Sequence, residues 1–110
     1  MTDALIVLTT LPDSLDASAW GHRLVEARLA ACVSVLPGMR SVYRWTNDAG
    51  QDVIERAMEQ QVMIKTTAAR LDDLKTWLAA NHPYAVPELL VLPVADGGSA
   101  YLAWIMASVE

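Results

Sequence analysis

Apolar positions along the chain alternate between two periods, and the switches between them mark out the elements. ALIVLTT, residues 4–10, is a short apolar run rich in β-formers that stops at Pro12 and Asp13, which predicts a buried strand. After Asp13 or Ser14, either of which can cap a helix, Trp20, Leu24 and Ala27 recur at helical spacing with Val25 beside them. CVSVLPG and then MRSVYRW alternate at a period near two, and the Pro37-Gly38 pair between them predicts a bend or bulge within one long strand. Asn47, Asp48, Ala49 and Gly50 carry turn chemistry, and MEQQVMIKTT resumes strand character, so the second and third strands form an extended hairpin.

Thr67 is placed to cap a second helix, whose Leu71, Leu74 and Leu78 share one face and which ends near Asn81. HPYAVPELLVLPV then supplies a fourth strand hemmed in by Pro83, Pro87 and Pro93. Proline fixes φ and donates no backbone hydrogen bond, so this strand is short or lies at a sheet edge. SAYLAWIMASV, after Gly97 and Gly98, has the content of a final helix. The resulting order, β-α-β-β-α-β with a C-terminal helix and a long β2-β3 hairpin, is the α+β arrangement called ferredoxin-like. Residues 1–110 are expected to form one domain, because the chain is short and shows no shift in composition.

Composition adds a constraint on surfaces. Hydrophobic residues are 54% of the chain and charged ones 19%, more apolar surface than a domain of this size can bury alone. No run approaches the roughly 18 residues of a membrane span. MTDALIVLTT lacks the basic start of a secretory signal, Asp3 standing there instead. The expectation is a cytoplasmic protein, with no membrane partner, that covers its surplus apolar surface by self-association. A net charge of −5, with Lys65 and Lys75 the only lysines, argues against nucleic acid. The single cysteine, Cys32, excludes an intrachain disulfide framework and a multi-cysteine zinc site, and fits a reducing compartment.

No catalytic motif or Gly-rich phosphate loop is present, so an enzyme is not expected. His82 offers an imidazole, the commonest transition-metal ligand, or else caps the loop after the second helix. Cys32 reads mainly as a small hydrophobe, and His22 as a solvent-facing helix residue. Lys65, just before Thr66 and Thr67, either holds an anion beside a helix N-terminus or pairs with Glu59 or Glu88. Tyr43, Trp45, Tyr101 and Trp104 suit an interface core as well as they suit a ligand cleft.

Taken together, LAACVSVLPGMRSVYRW, EQQVMIKTT, HPYAVPELLVLPV and YLAWI resemble the CutA family of divalent-ion tolerance proteins, in the right order and over nearly the whole chain. The resemblance implies a tight homotrimer similar in shape to the PII signalling proteins, and a role in tolerance to copper and other divalent metals. It implies no obligatory cofactor, with copper or another divalent cation as the candidate. It also carries Lys65, Tyr84 and Glu88 onto matching positions, with Trp45, Tyr101 and Trp104 as aromatic neighbours, as the lining of an inter-subunit cleft. A small anionic metabolite held there through Lys65 is the alternative function. The family's described copper site uses a cysteine in strand one and paired histidines before the proline; here Thr9, Thr10 and Asn81 occupy those positions, so His82 stands alone and metal binding is expected to be weak. Between Trp45 and Glu59 the segment TNDAGQDVIERAM is roughly five residues longer than the family pattern, an insertion that surface loops absorb cheaply. It moves the hairpin turn toward Asn47 and Gly50 or beyond and leaves the register at the tip open.

Overall fold

The computed structural model describes residues 2–110. Strand β1 (Ala4–Pro12) leads to helix α1 (Ala17–Glu26), the long strands β2 (Cys32–Thr46) and β3 (Asp52–Thr67), helix α2 (Leu71–Asn81), strand β4 (Leu90–Pro93) and helix α3 (Ser99–Ser108). The sheet order is β2-β3-β1-β4 with every pairing antiparallel, the ferredoxin-like arrangement. Alternation along β1 and β3 turns Val7, Leu11, Val62 and Ile64 toward the helices, where Trp20, Leu24, Leu74 and Leu78 complete the core. A smaller cluster at one end of the sheet joins Ile105 and Val109 to Ala4 and Ala31.

Element boundaries differ from the expected ones where local bonding outweighs pattern. The cap of α1 is Asp16, whose carboxylate accepts the Ala19 N–H at 3.1 Å; Asp13 and Ser14 instead belong to the turn closed by Leu15 N–H to Pro12 C=O. The helix stops in a paired-bond cap, with Arg28 N–H to Val25 C=O and Leu29 N–H to Leu24 C=O, and Arg28 takes φ +58°. Thr67 makes no capping bond and α2 does not start there: a 3-10 turn over Ala68–Arg70 comes first. Asp72 and Asp73 then complement the dipole of the first turn of α2.

The hairpin is longer than expected, β3 beginning at Asp52 rather than near Met58, because residues 52–58 pair with Arg40–Thr46 instead of forming a loop. From Met39 the register runs unbroken to Thr46 opposite Asp52. The tip is closed by Asn47, whose side-chain oxygen accepts the N–H groups of Ala49 and Gln51, and by Gly50 at φ +77°. Between Leu36, opposite Gln61, and Met39, opposite Glu59, β2 advances three residues while β3 advances two. This is the bulge expected at Pro37-Gly38, with Gly38 at φ +73°.

Helices α1 and α2 cover one face of the sheet, and α3 covers only the end of the other, near Ala4 and Lys65. On the other face Ile6 and Leu8 stand in register with Leu92 and Leu90 on one side and with Lys65 and Met63 on the other. Leu36, Leu90 and Leu92 are exposed there, so the surplus apolar surface forms part of an open sheet face.

Candidate functional site

The site grows from parity along β3. Glu59, Gln61, Met63 and Lys65 alternate with core residues and therefore share the open face. Before the bulge the even-numbered residues of β2 lie on that face; after it, Met39, Ser41, Tyr43 and Trp45 do, because one extra residue reverses the phase. The loop 82–89 closes a third side. Together they enclose a cavity of about 570 Å³ whose lining includes Tyr43, Trp45, Glu59, Gln61, Tyr84 and Glu88.

His82 anchors that loop. Its backbone N–H caps α2 on Leu78 C=O at 2.9 Å, and its Nδ1 accepts the Tyr84 N–H at 3.1 Å. A ring nitrogen that accepts carries no proton, so in the neutral ring Nε2 holds the hydrogen and donates to the buried Thr9 hydroxyl at 3.0 Å. Trp20 meets the ring edge-on at 6.0 Å, and its indole N–H bonds Asn81 C=O. Burial lowers the His82 pKa from its ordinary value. Thus fixed, the loop presents the Tyr84 hydroxyl to Glu59 Oε2 at 2.8 Å. Burial first, and then the Glu59 carboxylate, push the pKa of that hydroxyl upward. Gln61 donates to Thr9 C=O at 2.8 Å and to Glu88 Oε2 at 3.1 Å, tying strand and loop together again.

The six residues expected to share a cleft divide into two groups within the chain. Trp45, Tyr84 and Glu88 line the cavity. Lys65, Tyr101 and Trp104 sit at the other end of β3, where Lys65 Nζ donates to the Tyr101 hydroxyl at 3.1 Å and the Tyr101 and Trp104 rings lie 5.4 Å apart. That hydrogen bond is the leading cause of a raised Lys65 pKa. Six residues of extended strand separate Lys65 from Glu59, roughly 20 Å, which is why the Glu59 or Glu88 ion pair does not form within the chain.

The positions compared with a copper site are also tied up in structural bonds. Thr9 is fully buried and bonded to His82; the Asn81 side chain accepts from Arg23 at 2.7 Å and donates to Trp77 C=O. Among the described residues no group of three His, Cys, Asp or Glu side chains is arranged to hold a metal ion. Cys32 is half-buried and free, 3.6 Å from the Ser34 hydroxyl, and His22 faces solvent beside Glu26. Glu59 and Gln61 are central to the cavity; in the sequence Glu59 stands out only as an ion-pair partner for Lys65, and nothing there sets the two apart as a pair.

Comparison with known proteins follows the same outline. The family model described as "CutA1 divalent ion tolerance protein" matches residues 5–108. A Pectobacterium atrosepticum protein described as divalent-cation tolerance protein CutA is 44% identical over 110 residues, which is 100% of this chain and 96% of that one. The solved structure of CutA from Synechococcus elongatus superposes with a TM-score of 0.90 at 42% identity, covering 100% of this chain and 93% of that one. A second structure of the Synechococcus elongatus protein, described as complexed with a Bis-Tris molecule, gives a TM-score of 0.85 at 42% identity over 98% of this chain and 95% of that one.

Proposed function

The chain belongs to the CutA1 divalent ion tolerance family, and from that premise we propose that it works as a homotrimer in tolerance of, or response to, divalent metal ions, copper among them, with only weak metal contacts of its own. The observation that carries the trimer is the open sheet face, where Leu36, Leu90 and Leu92 remain exposed next to a hairpin arm bearing Tyr43 and Trp45. A specific interface removes on the order of 1,000 Å² or more from water, and this face and arm offer the apolar surface to do so. A head-to-tail ring of three also lets the Lys65 group of one protomer share a cleft with the arm of the next. Weak metal binding follows from His82, whose two ring nitrogens are both engaged inside the chain. Light scattering over micromolar concentrations should return three times the chain mass, and a monomer mass removes the trimer. Copper titration should give affinity no tighter than that of a lone imidazole, falling in acid as the ring protonates; tight, stoichiometric uptake removes the weak-contact reading.

A second reading is favoured by the cavity and by the Bis-Tris complex of the Synechococcus elongatus relative: a PII-like sensor of a small metabolite in the inter-subunit clefts. The sequence makes that metabolite an anion held by Lys65. Titration calorimetry with a metabolite panel, run beside copper and zinc, separates the two readings.

A further inference from the structure

The cavity at the hairpin base has a chemistry that neither reading uses. Glu59 and Glu88 border it, and within one protomer no lysine or arginine lines it. Glu59 is 7% exposed, and none of the ion pairs among the described residues involves either carboxylate. A carboxylate withdrawn from water calls for a countercharge or several donors, whereas Tyr84 and Gln61 supply these two with one hydrogen bond each. Glu59 and Gln61 alternate on one strand face about 7 Å apart, and Glu88 is bonded to Gln61, so both carboxylates face the same stretch of the cavity.

The remaining wall is aromatic. Tyr43 and Trp45 lie 6.4 Å apart with their planes at 82°, two faces meeting near a right angle, and they are 41% and 45% exposed. The face of an aromatic ring attracts a cation through its quadrupole, and two carboxylates beside it repel any anion. A divalent metal gains little here: aromatic walls offer it no ligand atoms, and among the described residues no third His, Cys, Asp or Glu joins the carboxylates. The volume, about 570 Å³, falls within the range of small-molecule sites.

We propose that this cavity binds a small organic ammonium ion, its tertiary or quaternary head held between the Glu59 and Glu88 carboxylates and the Tyr43-Trp45 corner. The proposal rests on the small-ligand reading above and reverses the charge of the ligand which that reading drew from Lys65. It gives the bulge at Gly38 a purpose, because the phase change there brings both rings to the carboxylate side.

Titration calorimetry of the full chain with three probes tests this: choline chloride, its uncharged isostere 3,3-dimethyl-1-butanol, and sodium acetate. Choline should bind saturably, and the isostere at least about tenfold more weakly, a difference of about 1.4 kcal/mol. Glu59→Gln and Glu88→Gln should each weaken choline about fivefold or more, with light scattering and circular dichroism confirming that each variant keeps its assembly and fold. If Glu59→Gln does not fold, Glu88→Gln and the choline-isostere comparison on the unaltered chain still decide. Equal binding of choline and its isostere overturns the proposal. Acetate binding with choline silent overturns it and leaves the cavity a ligand site of the opposite sign. Silence from all three probes overturns the proposal, and the metabolite panel then decides the small-ligand reading separately.

Discussion

Replacing His82 by alanine measures how far this histidine serves the fold rather than a metal. The change removes the ring that bonds the Thr9 hydroxyl at 3.0 Å and accepts the Tyr84 N–H at 3.1 Å, and it empties the space beside Trp20. Thr9 is fully buried, so its hydroxyl loses its partner where water cannot replace it, a cost of about 1–3 kcal/mol. The Tyr84 N–H is only part-buried and regains water, which adds less, and the lost ring contacts bring the expected total to about 2–4 kcal/mol. Guanidinium titration at fixed protomer concentration is the assay, because assembly couples stability to concentration. A loss below about 0.5 kcal/mol refutes the anchoring role. The pH dependence provides a second reading of the same bonds. Burial lowers the folded-state pKa of His82, so from about 6.5 downward the unfolded chain binds the proton more readily than the folded one. The stability His82 contributes is therefore complete above about pH 6.5 and is lost as pH falls from there through the lowered folded pKa. The stability difference between the native chain and His82→Ala should shrink over that acid window; a difference that grows on acidification refutes the assignment.

Three further substitutions probe packing and backbone in the sheet and its helices, each read from a denaturation midpoint at fixed protomer concentration. Gly38→Ala should cost about 1–2 kcal/mol from backbone strain alone, since φ is +73° and an added Cβ meets nothing within 4 Å; no loss means the bulge can be rebuilt without glycine. Gly21→Ala should destabilise even though alanine is the better helix former, because its Cβ would stand 2.8 Å from Val33 Cγ1. In a Val33→Ala background the same change should become neutral or stabilising, and an unaltered cost there excludes the steric cause. Tyr84→Phe should cost about 1–3 kcal/mol by leaving the buried Glu59 carboxylate without its 2.8 Å donor, and a neutral outcome shows that another group satisfies it.

Much of the fold could be read from the sequence because its signals are local and repeated. Trp20 and Leu24, and then Leu74 and Leu78, recur at helical spacing and are the residues the core buries. Pro93 does end β4, at the sheet edge. The misses are short-range competitions that periodicity does not resolve. Three polar residues near the start of α1 can all cap a helix, and Asp16 prevails because Leu15 N–H closes a turn on Pro12 C=O first. The start of β3 was set too late because VIERAM carries charges at Glu55 and Arg56, which belong to an arm that water reaches from both sides and so has no apolar alternation to display.

Sites are harder to read than folds because they depend on phase between distant segments. Tyr84 and Glu88 reach the cavity through a loop whose direction is set by His82, and Trp45 reaches it only because one residue is unpaired at Gly38. A proline-glycine pair in a strand announces that a bulge exists; it does not announce which face the residues beyond it will take, since that depends on how many residues the opposite strand advances. Here the count is three against two, and it carries both rings to the side of Glu59. The same reasoning sets Lys65 apart from Glu59 within one protomer. It shares the face of Glu59 and Gln61, as its odd-numbered place in β3 requires, but a strand rises about 3.4 Å per residue, and the end of the sheet where Lys65 meets Tyr101 is a separate environment with the opposite charge. A ligand reading built on Lys65 thus selects anions, and one built on Glu59 selects cations. Within one chain the second has a cavity with aromatic walls to hold its ligand.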